Sequence, residues 1–321
     1  MKKTIFRQWL AAGALAVLPL AGGMAQAAET ITLVVGASPG GTTDRVARGI
    51  ATEMADLLKQ TVIVENKPGA GGNIAANEVA RGPKDGSKLL VSFTSFTVNA
   101  SLYKQLPFDP IKDFTPITIL AQVPSVLVVR NDFPANNVAE LIQALKQKPG
   151  EYSFAIGGIG SSLHMATANF QMVTDTKGIN VPYKGTSPAL QDLVGGQVDI
   201  MFASVENVRP LFGGDRVKFL GVTSAEALEQ FPNVPAVQDT VKGFTSQAWF
   251  GMFGPADMDP ERLKQISAAV REGAKRTNFI ELMTHGGGKV LTQSPKEFAE
   301  FVRKDIDHYA EVVKFTGASV D

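Results

Sequence analysis

Ile31-Thr32-Leu33-Val34-Val35-Gly36-Ala37-Ser38-Pro39-Gly40-Gly41-Thr42-Thr43-Asp44 passes from a β-branched, apolar stretch into a glycine loop. Beyond it Val46, Ala47, Ile50, Met54, Leu57 and Leu58 recur at helical spacing. The stretch therefore reads as strand, loop and helix. At such a junction the first backbone N–H groups of the helix have no partner and carry partial positive charge, so the loop can hold a carboxylate or phosphate. It lacks the Lys-Ser/Thr of the phosphate-binding loop and the glycine spacing of the dinucleotide fingerprint. A tight turn with Thr43 or Asp44 as cap is the competing reading, and spacing alone leaves both open.

The same grammar continues on either side. Thr61 to Glu65 predicts a second strand, Ile74 to Arg81 a helix and Lys88 to Phe93 a third strand. This alternation implies α/β units on a mostly parallel sheet. It restarts after Val123 with strand Ser125 to Arg130, helix Val138 to Lys146, strand Tyr152 to Ile156 and helix Leu163 to Val173. Strands at Ile179 to Pro182, Val198 to Phe202 and Val217 to Val222 follow, with a helix at Ser187 to Val194. A second sheet is expected. An aromatic strand, Gln247 to Gly254, precedes helices at Pro260 to Lys275 and Pro295 to Phe315, the last opened by a Ser294 cap with Pro295 at the first helical position. No linker marks the midpoint, so two interleaved lobes are expected: 28–124 with 249–321, and 125–248. The strands at Ser125 and Gln247 are the expected crossings.

Lys2, Lys3 and Arg7 precede an apolar run from Trp9 to Ala21, and Ala25-Gln26-Ala27 supplies small residues at alternating positions. Residues 1–27 thus predict a secretory signal peptide, cleaved after Ala27, and a mature chain exported to a bacterial periplasm. The chain of 321 residues has equal numbers of basic and acidic side chains, 31 each. Without the three leading cations the body is slightly acidic, which argues against nucleic acid as a partner. No cysteine and only three histidines argue against disulfides, a thiolate nucleophile and a zinc centre, and no metal or cofactor is expected.

Two further loops have the same make. Gly157-Gly158-Ile159-Gly160-Ser161-Ser162-Leu163-His164 and Tyr183-Lys184-Gly185-Thr186-Ser187 both lie between a strand and a helix. Polar glycine loops at the C-terminal ends of strands are where open α/β sheets bind ligands, so three of them from two sheets predict a cleft closed on one ligand. Ser161 or Ser162 with His164 would suit an exported serine esterase, but Gly160-Ser161-Ser162 is not a nucleophile elbow and no orienting acid is identifiable. Pro68 to Asn73 reads as a turn with Asn73 as cap. Asp109, Asp113, Asp192 and Asp199 read as turn and cap residues, and His285 and His308 as structural.

Read in order, Ser38-Pro39-Gly40-Gly41-Thr42-Thr43-Asp44, Val64-Glu65-Asn66-Lys67-Pro68-Gly69-Ala70-Gly71-Gly72-Asn73, Asp85-Gly86, Pro107-Phe108-Asp109, Val181-Pro182-Tyr183-Lys184-Gly185 and Leu193-Val194-Gly195-Gly196-Gln197-Val198-Asp199 cover essentially the whole mature chain. Together they resemble the extracytoplasmic solute receptors of tripartite tricarboxylate transporters, also called the Bug family. The resemblance implies a two-lobed α/β Venus flytrap, type II-like, with a mixed sheet flanked by helices in each lobe. It implies a monomer that closes on a small organic acid and delivers it to a membrane permease with a large and a small subunit.

In that family the loop matching Ser38 to Asp44 holds a ligand carboxylate, partly through waters, and the loops matching Gly157 to His164 and Tyr183 to Thr186 close from the other lobe. The expected ligand contacts are Ser38, Gly40, Gly41, Thr42, Thr43, Asp44, Ser95, Gly160, Ser161, Ser162, His164, Lys184, Gly185, Thr186 and Ser204. Phe93, Phe96, Trp249 and Phe250 are candidates for an apolar wall. Many members carry an acid after the Met-Phe that follows Gly-Gln-Val-Asp, but here Met201-Phe202 is followed by Ala203-Ser204. A buried ammonium would want a carboxylate partner, so the departure points to a di- or tricarboxylate or an aromatic acid without an amino group. Signalling through a sensor kinase is the remaining alternative.

Overall fold

A computed structural model describes residues 30–321. The expected signal segment, 1–27, lies outside the described residues. The chain runs β1 (Ile31–Val35), α1 (Thr42–Leu58), β2 (Val62–Asn66), α2 (Asn73–Ala80), β3 (Lys88–Phe93), α3 (Ser95–Leu102) and β4 (Phe114–Arg130). It continues α4 (Val138–Gln147), β5 (Ser153–Ile156), α5 (Ser162–Thr174), β6 (Ile179–Pro182), α6 (Thr186–Val194), β7 (Ile200–Ser204), α7 (Val205–Val208) and β8 (Val217–Val222). It ends β9 (Gln247–Pro255), α8 (Pro260–Gly273), α9 (Thr277–His285), β10 (Lys289–Val290) and α10 (Pro295–Thr316).

The strand order is β2-β1-β3-β9-β4-β7-β5-β6, with β8 and β10 also on β4. β1, β2 and β3 are parallel, as are β5, β6 and β7, while β9 and β4 run against their neighbours. The second sheet is thus not a separate body. It grows from the same 17-residue strand as the first. From Phe114 to Pro124 β4 pairs with β9, and from Ser125 onward with β7 and β8. The sequence predicted only the second half, because Pro116 and Pro124 offer no N–H to a ladder and read as strand breakers. The structure absorbs part of this misfit in register shifts between Pro116 and Thr118 and between Ile119 and Ala121.

The period of two along β4 divides its core. Leu127 and Val129 face Phe154, Phe170 and Phe202, while Val126 and Val128 face Met201, Val205 and Val222. In the first half the Val46, Ile50 and Met54 face of α1 packs on Leu33, Leu89 and Met252. The C-terminal helix then ties the halves together, since Tyr309, Val312 and Val313 of α10 pack with Val98 and Leu102 of α3 and Met165 and Ala168 of α5. The Ser294 side chain caps α10, as the sequence predicted, and Ser294 N–H in turn donates to the Glu297 carboxylate.

Two local expectations fail. Asn73 is the first residue of α2 rather than its cap, and its Oδ1 accepts from Asn99 Nδ2 at 2.8 Å. The sequence does not predict α3, and of α9 it predicts only the C-terminal end at His285. Ser95–Leu102 is buried on nearly every side, so it shows no amphipathic period to read.

Candidate functional site

β1–β3 and β5–β7 run in opposite senses on the two halves of β4, so their C-terminal ends face each other across the middle of the sheet, and each strand turns into a helix there. α1 starts at Thr42 with Gly41 as N-cap and α6 at Thr186 with Gly185 as N-cap, and neither helix has a side-chain cap. Glycine is required at 185, whose φ of 107° an L side chain rarely adopts. Since no side chain of the loop competes for the first-turn N–H groups, they remain available to a ligand. α5 starts at Ser162 and α7 follows Ser204 as N-cap.

These starts converge. Thr42, Thr43, Ser162, Thr186 and Ser204 line one cavity of about 320 Å³, together with Thr94, Ser125, Asn207 and Ser246. Phe93, Val123, Pro124, Leu163, Ala248 and Phe250 form its apolar wall. The volume lies at the small end of the range for small-molecule sites, roughly 300–1,000 Å³. Glu206 is the one charged side chain on the wall among the described residues.

The other expected contacts serve the loops that build the cavity. Asp44 is buried and acts as the keystone of the first loop: Gly40 N–H and Arg48 Nε donate to Oδ2 at 2.9 and 3.0 Å, and Asn66 Nδ2 donates to Oδ1 at 2.9 Å. The Arg48 hydrogen bond leads in holding its pKa down at about 2. Ser38 gives its carbonyl to Gly41 N–H and is exposed. Ser161 Oγ accepts from His164 N–H as cap of α5, and Gly160 N–H donates to His164 Nδ1 at 3.2 Å. His164 is buried, and burial keeps the imidazole below its ordinary pKa. Ser161 and His164 are thus committed to backbone groups of their own loop, while Ser162, the other serine of the esterase reading, lines the cavity. Ser95 Oγ donates to the Gly160 carbonyl at 3.1 Å, joining α3 to the second loop. Lys184 and Gly185 are exposed and do not line the cavity.

Of the aromatic candidates, Phe93 and Phe250 are cavity wall, adjacent in register across β3 and β9. Phe96 stacks in the core on Phe108, Phe114 and Phe253, and Trp249 packs on Phe298 and Phe301 while donating its indole N–H to Asp305. Sequence reasoning missed Val123, Pro124, Ser125, Ser246 and Ala248, which sit where β4 and β9 cross and carry no loop motif. It also missed Glu206. The acid absent after Met201-Phe202 reappears four residues past Phe202, at the start of α7.

The family described as "Tripartite tricarboxylate transporter family receptor" matches residues 46–317. The periplasmic binding protein BugD is 33% identical, with a TM-score of 0.75 over 90% of this chain and 98% of that one. Rpa4515 of R. palustris, solved with adipate, is 30% identical, with a TM-score of 0.77 over 91% and 98%. MatC of Rhodopseudomonas palustris, solved with malate, is 32% identical, with a TM-score of 0.74 over 88% and 98%. The fold is the two-lobed α/β fold of periplasmic binding proteins, and the chain belongs to the receptor family of tripartite tricarboxylate transporters, a family of solute-binding proteins and not of enzymes.

Proposed function

We propose that this receptor, exported to the periplasm after loss of residues 1–27, closes on a small organic carboxylate and hands it to a membrane permease of large and small subunits. Residues 28–124 and 249–321 form one lobe and 125–248 the other, the division falling where β4 exchanges β9 for β7 and β8. One observation carries the reading: the starts of α1, α5, α6 and α7 meet at a single cavity. Helix starts favour an anion through unpaired N–H groups and the aligned peptide dipoles. Thr42, Thr43, Ser162, Thr186 and Ser204 add hydroxyls, and Gly40, Gly41, Asp44, Gly160, Ser161, His164 and Gly185 hold the loops that present them. Adipate in Rpa4515 and malate in MatC support a carboxylate as the ligand.

A thermal-shift screen of the mature chain over carboxylic acids tests this, because a ligand that binds only the folded state raises the midpoint by mass action. Small-angle scattering with the best acid should show a radius no larger than that of the free chain. A screen in which no carboxylate shifts the midpoint overturns the proposal.

A further inference from the structure

The one charged side chain on the cavity wall has the sign an anion site should avoid. Glu206 is not free, however. Arg45, from α1 on the opposite side of the cleft, donates through Nη2 to both Glu206 oxygens at 2.7 and 2.6 Å. The same nitrogen lies 3.4 Å from Thr42 Oγ1, and Nη1 donates to the Gly40 carbonyl at 3.1 Å. The guanidinium is thus engaged with protein acceptors, and it lies behind the wall, facing an outer groove that it shares with Glu206, Arg209, Glu281 and His285, where Arg209 and Glu281 are again one charge of each sign. No lysine, arginine or histidine lines the cavity among the described residues.

The two charges cancel, so the positive potential left to a ligand is that of the helix starts. The remaining wall is neutral hydroxyls, one amide and six apolar side chains. A single carboxylate finds donors there. A second one finds no unpaired cation on the wall and would be desolvated against neutral hydroxyls and apolar side chains, which costs more than they return.

We propose that the Arg45–Glu206 pair is a specificity determinant, a charge filter that restricts this receptor to small acids with one carboxylate and an otherwise uncharged body. The proposal rests on the carboxylate-receptor reading above and narrows it. A pair that merely latched the closed cleft would act alike on every ligand. A filter acts according to ligand charge and with opposite sign for its two members, because Glu206→Gln leaves a net cation beside the cavity and Arg45→Gln leaves a net anion.

The matched probes are hexanoate and adipate, which share six carbons and differ in one carboxylate, titrated by calorimetry into the mature chain. In the wild type hexanoate should bind more tightly. Glu206→Gln should shift the adipate-to-hexanoate Kd ratio toward adipate by about fivefold or more. Arg45→Gln should shift it the other way, and the double variant should return it near the wild-type value. Both side chains are over a third exposed, so the variants should fold, and circular dichroism checks this. Tighter wild-type binding of adipate, or a ratio that moves the same way or not at all in the two single variants, overturns the filter and leaves the receptor reading standing. Other acids of the screen binding while neither probe binds any variant also overturns the filter, and if no acid binds at all the receptor reading falls with it.

Discussion

Replacing Thr43 by Asp asks whether the start of α1 carries the ligand's charge. Thr43 is the second residue of a helix without a side-chain cap, it is only 6% exposed, and it lines the cavity. A carboxylate in the first turn suits the helix dipole, a gain of about 0.3–1 kcal/mol, so the fold should survive. The same carboxylate would occupy the positive end that an anionic ligand needs. Two carboxylates about 5 Å apart at an effective dielectric constant of about 20 repel by about 3 kcal/mol, which weakens binding by about two orders of magnitude. Thr43→Val keeps the shape and the backbone N–H groups and removes one hydroxyl, at a cost of about 0.5–1.5 kcal/mol. Calorimetry with the acid that most stabilises the wild type measures both, and thermal melts check folding. If Thr43→Asp binds as tightly as the wild type, the first loop is only a turn and the anion sits elsewhere.

The neighbouring residues should behave as framework. His164 is held by burial below its ordinary 6.5, so the unfolded chain takes up a proton first: stability is level above about 6.5 and falls as pH drops below it. Urea midpoints between pH 5 and 8 should show this slope, and His164→Asn, which retains an acceptor for Gly160 N–H, should flatten it. Asp44→Ala leaves three donors without their acceptor and should cost about 2–3 kcal/mol. In the wild type the Asp44 contribution is complete above 3.8 and is lost as pH falls toward 2. Ser95→Ala leaves the buried Gly160 carbonyl without its donor from α3 and should lower the melting temperature by an amount corresponding to about 1–2 kcal/mol, read by calorimetric scans. Gly160→Ala sets a Cβ 2.5 Å from Leu102 Cδ2 at a φ of +79° and should lower the denaturant midpoint by an amount corresponding to about 1–3 kcal/mol.

The α/β repeats and the three glycine loops could be read from the chain because their signals are local. A β-branched run, a glycine turn and a 3.6-residue period each sit within a dozen residues, as at Ile31 to Leu58. What could not be read was set by distant partners. The first half of β4 pairs with β9, more than a hundred residues later, and tolerates Pro116 and Pro124 because those partners hold the rest of the strand. α3 has polar residues, Ser95, Thr97 and Asn99, on buried faces because Gly160, Asp305 and Asn73 receive them. The same holds within the site. Asp44, Ser161 and His164 have the residue types of ligand contacts, and only the bonds from Gly40, Arg48, Asn66, Gly160 and the His164 N–H reveal that they hold the loops in shape.

That division of labour bears on how the proposed anion would be held in a cavity with no lysine or arginine on its wall among the described residues. A long cationic side chain loses up to about 2 kcal/mol of rotamer freedom when it is fixed on a ligand. Backbone N–H groups at a helix start have already been fixed by folding, and here the fixing agents can be named: Asp44 for the first loop, His164 and Ser161 for the second, Gly185 for the third. Preorganised donors of this kind spend less of the interaction on ordering and more on affinity. They are also weaker singly than a full charge, so several must converge, which requires strands from both halves of the sheet to end at one place. The long strand β4 meets that requirement: by carrying β9 on its first half and β7 and β8 on its second, it aligns the ends of β1 and β3 with those of β5, β6 and β7 around one cleft.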